Sequence, residues 1–172
     1  MCLELGMNKG LCLYLNLLDN QSIEDCINET IKVFGGIDVL INNAGVLAWK
    51  PLLRQSISEI EAQIRVNLEG PIKMTRLALP YLREMIINVA SGAGKYAFAE
   101  LTTYCATKFG LRGFTQALAK ELPHLKVYSV NPGMTATRMT NFQGGPPSRV
   151  ARTIADVAEG RSGLPSGSDI DL

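Results

Sequence analysis

The feature that most constrains the fold of this chain is its alternation of short apolar runs with longer segments of helical periodicity. Ile37–Asn42 and Met85–Ala90 are near-continuous apolar runs of strand length, a pattern typical of parallel strands buried on both faces. Leu11–Leu18 and Lys126–Val130 are predicted as two further strands. Strands that alternate with helices at this spacing predict a three-layer α/β sandwich around a mainly parallel sheet.

Helical periodicity fills the intervals between these runs. The predicted helices are Ser22–Phe34, Ser56–Leu82, Thr103–Leu122 and a last one near Pro147–Glu159. Ser56 and Glu59 have the spacing of a capping box, and Gly70-Pro71 should bend the long second helix. Only Arg83-Glu84 separates that helix from the next strand, which is a junction at the short end of the usual range.

The length of 172 residues is sufficient for one domain, and no internal repeat or linker divides the chain. We therefore predict a single domain over residues 1–160. Residues 161–172 are rich in glycine, serine and turn-forming residues, and they are predicted to form a flexible tail without a strand.

The charge balance excludes several classes of partner. Lys plus Arg (17) against Asp plus Glu (16) leaves a net charge of +1, so the chain has no electrostatic footprint for nucleic acid or an anionic membrane surface. The longest apolar stretches are too short to span a bilayer, and the N-terminus lacks the pattern of a signal peptide. We expect a cytoplasmic protein.

Cysteine and histidine usage gives no sign of a metal site. The four cysteines form no C-x-x-C pair, so we expect thiols in a reducing compartment rather than a zinc site or a disulfide framework. The single histidine, His124, follows Pro123 before a predicted strand, and a surface position is expected for it.

Small polar residues and glycines follow three of the predicted strands. These segments are Asn42-Asn43-Ala44-Gly45, Ser91-Gly92 and Asn131-Pro132-Gly133. Ligands of open α/β sheets bind beyond the carboxyl ends of the strands, so the three segments are candidates for one binding site. Each of them is also ordinary turn chemistry, and for the set the two interpretations are about equally supported.

Tyr104 and Lys108 lie four residues apart near the start of a predicted helix, on the same helical face. An ammonium beside a phenol favours the phenolate, so we expect the pKa of Tyr104 to be lowered toward a value useful in proton transfer. The spacing alone arises readily by chance. Ser91 lies thirteen residues upstream of Tyr104, at the end of a predicted strand. Its hydroxyl could face the same cleft, which strengthens the catalytic interpretation of the pair.

Together these motifs resemble the short-chain dehydrogenase/reductase family of NAD(P)-dependent oxidoreductases. The resemblance covers about residues 11–160 and follows the family's order of motifs. Its elements here are Asn42-Asn43-Ala44-Gly45, Val66-Asn67-Leu68, Ser91, Tyr104-Cys105-Ala106-Thr107-Lys108 and Asn131-Pro132-Gly133.

The resemblance implies a Rossmann-like fold and hydride transfer between NAD or NADP and a small carbonyl or alcohol substrate. It implies that Tyr104 is the acid/base and that Ser91 donates a hydrogen bond to the substrate oxygen. Lys108 would lower the pKa of Tyr104 and hold the nicotinamide ribose, and Asn67 would anchor a water of a proton relay. The remaining cofactor contacts that it implies are Asn43, Ala44, Gly45, Pro132, Gly133, Thr135 and Thr137.

The resemblance ends before the first predicted strand. The family begins with a strand and a glycine-rich T-G-x-x-x-G-x-G turn that holds the cofactor pyrophosphate, and this sequence contains no such segment. Leu11–Leu18 corresponds to the family's third strand, and Met1–Gly10 is too short for the elements that precede it. We therefore expect an N-terminally truncated fold without the first βαβ unit, an exposed edge on Ile37–Asn42 and weak cofactor binding.

Two functional hypotheses follow. The chain is either an oxidoreductase by descent or a non-catalytic fragment that acts as an oligomerisation partner. The helices Ser56–Leu82 and Thr103–Leu122 resemble those that pair across the family's dimer interface, so a homo-oligomer is predicted. In simpler interpretations Asn67 satisfies carbonyls at the helix bend and Ser91 caps a turn.

Some residues receive no catalytic role. Arg112 and Arg138 are expected to be solvated. In the segment Met134–Pro147, Met139 and Phe142 suggest an apolar contact surface, and packing against the last helix explains them equally well.

Overall fold

The computed structural model describes residues 10–172, so the expectations for Met1–Gly10 fall almost entirely outside the described residues. Helices and strands alternate as predicted. The elements are α1 (Asn20–Phe34), β1 (Ile37–Asn42), α2 (Ile57–Ile64), α3 (Gly70–Ala78), β2 (Leu82–Val89), α4 (Thr102–Glu121), β3 (Lys126–Asn131), α5 (Pro147–Ala158) and β4 (Asp169–Asp171).

The four strands form one parallel sheet in the order β1-β2-β3-β4, with helices on both faces. On one face Ile23 of α1 and Leu118 of α4 pack with Ile86 of β2 in a buried cluster. On the other face Val157 of α5 packs with Ile87 of β2. The predicted three-layer α/β sandwich is confirmed, and consecutive residues of β2 serve opposite cores because strand side chains alternate between faces.

The predicted strand Leu11–Leu18 is wrong. Residues 11–16 form no strand, and a turn follows in which Asp19 N donates to Asn16 O at 3.0 Å. An apolar run becomes a strand only where a neighbouring strand accepts its ladder of hydrogen bonds. Here the segment instead packs its Leu17 against Gly70, where an added Cβ would lie 3.0 Å from Leu17 Cδ1.

The predicted long helix Ser56–Leu82 is divided by a π-helical turn over Arg65–Glu69. Its start is as predicted, because Ser56 and Glu59 form a capping box. The irregularity lies before Gly70-Pro71 and contains the buried Asn67. Such π-helical turns occur frequently at functional sites because they redirect one side chain of a helix.

Arg83 and Glu84, predicted as a two-residue junction, belong to β2 instead. A short 3₁₀ helix, Leu79–Tyr81, leads directly into Leu82, so no loop residue separates it from the strand. Leu82 pairs with Ile37 of β1 in the parallel register. The strand therefore begins at Leu82, three residues before the apolar run. Arg83 and Glu84 are polar and were not predicted as strand, because they are exposed at the end of the sheet.

A fourth strand, β4, forms in the segment that was predicted to contain none. Asp169–Asp171 pairs with β3, with Ser129 opposite Asp169 and Asn131 opposite Asp171. Its sequence, Asp-Ile-Asp, contains no apolar run of the kind that predicts a strand. The two aspartates are balanced by cations, since Arg112 pairs with Asp169 and Lys95 with Asp171. The expectation that Arg112 is solvated is therefore wrong, whereas Arg138 is exposed as expected.

Among the described strands, β1 pairs with β2 alone, so its other edge is an edge of the sheet. Ile41 of this strand is 42% exposed. The expected exposed edge on Ile37–Asn42 is present in the described residues, and such edges favour association with other chains.

A line of buried polar side chains crosses the sheet near the carboxyl ends of its strands. Asn42 Nδ2 donates to Asn88 Oδ1 at 2.8 Å, and Asn88 Nδ2 donates to Thr115 Oγ1 of α4 at 2.9 Å. The two asparagines are register partners on β1 and β2. Both amides are buried and hydrogen-bonded, and these bonds link the sheet to the helix that carries Tyr104 and Lys108.

Candidate functional site

A cavity of about 500 Å³ opens at the carboxyl ends of β1, β2 and β3. The segments that follow these three strands all line it, as the position of ligand sites in open α/β sheets leads one to expect. Every residue predicted for the site except Asn67 lies on its wall: Asn43, Ala44, Gly45, Ser91, Tyr104, Lys108, Pro132, Gly133, Thr135 and Thr137.

Tyr104 enters the cavity from the first turn of α4 and is 8% exposed. Burial raises the pKa of the Tyr104 phenol above its ordinary value, and its side-chain hydrogen bond with Ser91 opposes that rise. The prediction that the pKa of Tyr104 is lowered is therefore wrong for this structure. Desolvation of the phenolate outweighs the hydrogen bond that stabilises it.

Lys108 lies one turn further along α4, with its Nζ 5.7 Å from the centroid of the Tyr104 ring. The side chain is 3% exposed, and Nζ donates to Val89 O of β2 at 2.8 Å. Burial lowers the pKa of Lys108 from 10.5 to about 8. Its ammonium is thus held by a backbone carbonyl close to Tyr104.

Asn67 lies behind the cavity wall rather than on it. It is fully buried, and its amide exchanges two hydrogen bonds with the backbone of Val46, each 2.8 Å long. Its Nδ2 also lies 3.3 Å from Thr107 Oγ1 of α4. Asn67 therefore joins the π-helical turn to the loop after β1 and to the helix of Tyr104.

The loop after β2 holds Ser91 between two neighbouring segments. Gly92 N donates to Pro132 O at 2.8 Å, which ties this loop to the one after β3. Gly94 packs against α4 so closely that an added Cβ would lie 2.8 Å from Lys108 O. Ser91 Oγ accepts from Ala93 N at 3.1 Å, so the predicted turn-capping role of Ser91 is present beside its contact with Tyr104.

Apolar side chains form the outer part of the cavity wall, and most of them carried no recognisable signal in the sequence. They include Leu47, Trp49, Phe98, Leu101, Met134, Met139 and Val150. Met139 lines the cavity as the sequence suggested, whereas Phe142 is 70% exposed and is absent from the lining. Trp49 and Phe98 lie in loops, where no periodicity marks a residue as part of a wall.

The lining fits one end of a nicotinamide cofactor. Its hydroxyl and amide side chains and its small loop residues suit the hydrogen-bonding carboxamide and ribose of that end. A pyrophosphate needs a cluster of backbone N–H groups at a glycine-rich turn, and residues 10–172 provide no such turn after a strand. The described residues therefore match the nicotinamide end of the cofactor alone.

The described residues form neither a cluster of metal ligands nor a membrane-spanning helix. Across residues 10–172, no three His, Cys, Asp or Glu side chains come together as a metal would require. None of the helices in that range combines the length and apolarity of a membrane crossing. His124 is exposed in the turn before β3, as expected.

Sequence comparison agrees with the geometry. The family model of the short chain dehydrogenases matches residues 3–145. A 3-oxoacyl-[acyl-carrier-protein] reductase from Thermotoga maritima is 34% identical over an alignment of 180 positions, gaps included, that covers 92% of this chain and 73% of the relative. The reductase of the same name from Aquifex aeolicus is 37% identical over 132 residues, or 73% of this chain and 53% of the relative.

Solved structures share the fold of this chain. A dehydrogenase/reductase from Sinorhizobium meliloti superposes with a TM-score of 0.89 and 25% identity, covering 98% of this chain and 75% of that chain. A short chain dehydrogenase from Burkholderia cenocepacia, solved in complex with NADP, superposes with a TM-score of 0.83 and 28% identity. That match covers 92% of this chain and 73% of the Burkholderia chain.

Proposed function

The chain belongs to the short-chain dehydrogenase family, and we propose that it is an NAD(P)-dependent oxidoreductase acting on a carbonyl or alcohol substrate. The observation that carries this proposal is the convergence of Ser91, Tyr104 and Lys108 on one cavity, from two separate elements. Similarity to reductases and to an NADP complex supports it.

Tyr104 is proposed as the acid/base. With its pKa raised by burial it carries its proton at neutral pH, so it can deliver that proton to a developing alkoxide. In the oxidising direction the Tyr104 phenolate, which is the minor form at neutral pH, accepts the proton of the substrate hydroxyl. Ser91, hydrogen-bonded to Tyr104, is placed to donate to the same substrate oxygen and stabilise its growing charge.

Lys108 and Asn67 are proposed to support these two residues. The ammonium of Lys108, above the Tyr104 ring, supplies positive charge and a donor for ribose hydroxyls. Asn67 fixes the loop of Gly45, where an added Cβ would lie 3.5 Å from Asn67 Oδ1 and 3.8 Å from Lys108 Nζ. Its participation in a water relay remains a prediction.

A nicotinamide cofactor, NAD or NADP, would supply or accept the hydride when bound. The residues proposed to hold its nicotinamide end belong to the loops after β1 and β3: Asn43, Ala44, Gly45, Pro132, Gly133, Thr135 and Thr137. Because the described residues offer no glycine-rich turn for the pyrophosphate, we propose that this chain binds the cofactor weakly.

An alternative role as a non-catalytic oligomerisation partner is favoured by one observation. Apolar side chains are exposed near α2 and on α4, including Leu53 (98%), Ile57 (70%) and Phe109 (44%). Exposed apolar side chains of this extent mark interaction surfaces. A cytoplasmic homo-oligomer that pairs through α2 and α4 accommodates either role.

The experiment is carbonyl reduction by the purified chain with NADPH or NADH, followed by loss of cofactor absorbance over a panel of ketones. Tyr104→Phe removes the proposed proton donor and should abolish turnover while cofactor binding persists. Tyr96→Phe, at a tyrosine that is 66% exposed, is the matched control and should retain it. Equal rates for wild type and Tyr104→Phe would contradict the acid/base assignment, and no turnover in any form would favour the oligomerisation role.

A further inference from the structure

Beyond Ser91 and Tyr104 the cavity is bounded by large apolar side chains that are only partly covered. Trp49 and Phe98 are each 50% exposed, Met134 is 51% exposed and Met139 40%. All four line the same cavity, next to the proposed proton donor. Apolar surface held open in a concave site gains free energy when an apolar ligand covers it.

The Met134 and Met139 side of this wall is part of a closed loop. Ala136 N donates to Gly145 O at 2.8 Å, and Gly145 N donates to Met134 O at 2.9 Å. Gly144 makes the return possible, because its φ is +114° and an added Cβ would lie 2.3 Å from Met134 O. The two methionines therefore lie on a loop whose two ends are hydrogen-bonded to each other.

Charged partners are nearly absent from the cavity. Among the described residues that line it, Lys108 is the one with an ionised side chain. It is 3% exposed, and its ammonium already donates to Val89 O. A substrate carboxylate or phosphate near Trp49 and Phe98 would lose water without meeting a cation there, which is costly.

We propose that the substrate is a neutral ketone, or the corresponding secondary alcohol, whose apolar chain or ring lies against Trp49, Phe98, Met134 and Met139. This inference rests on the proposed function and specifies its substrate class. In the reducing direction the carbonyl carbon takes up a hydride and its oxygen takes the Tyr104 proton. The products are the secondary alcohol and the oxidised nicotinamide cofactor. The same wall disfavours 2-oxo acids and phosphorylated sugars, because their anionic groups meet no cation there.

The chain contains one tryptophan, so Trp49 fluorescence reports on this wall directly. The probes are 2-octanone and 2-oxooctanoate, which share the hexyl ketone skeleton and differ in a methyl group against a carboxylate. Titration of each probe, with and without NAD⁺, gives two dissociation constants per probe. We expect 2-octanone to shift Trp49 emission to shorter wavelength and to bind at least about tenfold more tightly, because the carboxylate loses hydration without a partner.

A charge placed on the wall should reverse this preference. Phe98→Lys adds a cation to the cavity, so we expect weaker 2-octanone binding and tighter 2-oxooctanoate binding. Phe34→Lys is the matched control, since Phe34 is 44% exposed at the end of α1 and outside the cavity lining, and it should behave as wild type.

The outcomes separate this inference from the proposed function. Equal or tighter binding of 2-oxooctanoate by wild type, or no binding of 2-octanone, would overturn the substrate class even if some other ketone were reduced. Selective 2-octanone binding without turnover would uphold the apolar site and contradict the oxidoreductase proposal.

Discussion

Asn67 and Val46 exchange two hydrogen bonds, because Asn67 Nδ2 donates to Val46 O and Asn67 Oδ1 accepts from Val46 N, each at 2.8 Å. The pair joins the π-helical turn of Arg65–Glu69 to the loop that follows β1. The Asn67 side chain thus satisfies both the N–H and the C=O of Val46, as a neighbouring strand would in a sheet. It fixes the loop of Asn43, Ala44 and Gly45 without a neighbouring strand.

Replacing this amide should cost more than a typical surface substitution. We expect Asn67→Ala to lower the free energy of unfolding by about 2–4 kcal/mol, because the backbone N–H and C=O of Val46 are left without their partners. Urea denaturation measures the change. Asn20→Ala removes an exposed bond to Lys73 and serves as the control. A loss no larger than that of the control would show that solvent replaces the Asn67 amide.

The buried ammonium of Lys108 predicts a particular dependence of stability on pH. Its pKa is about 8 in the folded chain against an ordinary 10.5, so between these values the unfolded chain binds more protons and stability rises with pH. Below pH 8 both states are protonated and this contribution no longer changes. Relative to Lys108→Met, wild type should therefore gain about 2 kcal/mol between pH 8 and pH 10.

Equilibrium unfolding of both proteins across that range measures the gain. Because Lys108→Met retains every other titrating group, the difference reports the titration of Lys108 together with any effect of its charge on the neighbouring Tyr104. Lys120→Met, at an exposed lysine of the same helix, should run parallel to wild type. A constant difference between wild type and Lys108→Met would mean that water reaches the ammonium.

The ion pair between Arg112 and Asp169 should stabilise β4. Arg112 Nε donates to Asp169 Oδ1 at 2.9 Å, and the two side chains are 16% and 17% exposed. We expect Asp169→Asn to cost about 2–4 kcal/mol at pH 7, since it leaves a half-buried guanidinium without its anion. Asp156→Asn breaks the exposed pair with Arg161 and should cost at most about 0.5–1 kcal/mol.

Arg112 holds the pKa of the Asp169 carboxyl below its ordinary value of 3.8. A carboxyl with a depressed pKa stabilises the fold above its ordinary pKa, and that contribution is lost as pH falls through the folded-state value. The difference between wild type and Asp169→Asn should accordingly shrink below pH 3.8 in acid titrations of unfolding. A difference that persists unchanged in acid would contradict the ionic origin of the effect.

The open edge of β1 should govern self-association. Ile41 is 42% exposed on this edge strand, and Ile41→Lys places a charge where another chain would pair. We expect less light scattering on warming for this variant than for wild type. Val33→Lys changes a residue of α1 that is 54% exposed outside the sheet, so it separates an edge effect from a general gain in charge. Equal suppression by both variants would point to net charge rather than to the edge.

Much of this organisation was predictable because it depends on local patterns. The apolar run of Ile37–Asn42 and the spacing of Tyr104 and Lys108 each carry their meaning within a few residues. Three loops after three strands then identify one site, because parallel strands bring their carboxyl ends to one edge. The structure places the residues so predicted on a single cavity wall, with Asn67 directly behind it.

The two wrong strand predictions concern segments for which strand formation depends on partners far away in the sequence. Residues 11–18 have the apolarity of a strand yet pair with none, whereas Asp169–Asp171 lacks that apolarity and pairs with β3. A strand exists only where another strand accepts its backbone bonds, and for β4 Arg112 and Asn131 also hold its carboxylates.

The sequence by itself determined the layered α/β architecture, the family and the side chains proposed for the chemistry, because periodicity and motif spacing are local properties of the chain. Only the tertiary structure decided the raised pKa of Tyr104, the lowered pKa of Lys108 and the apolar wall around Trp49 and Phe98. Those properties arise from desolvation and from contacts between distant segments, and both depend on which surfaces the fold removes from water.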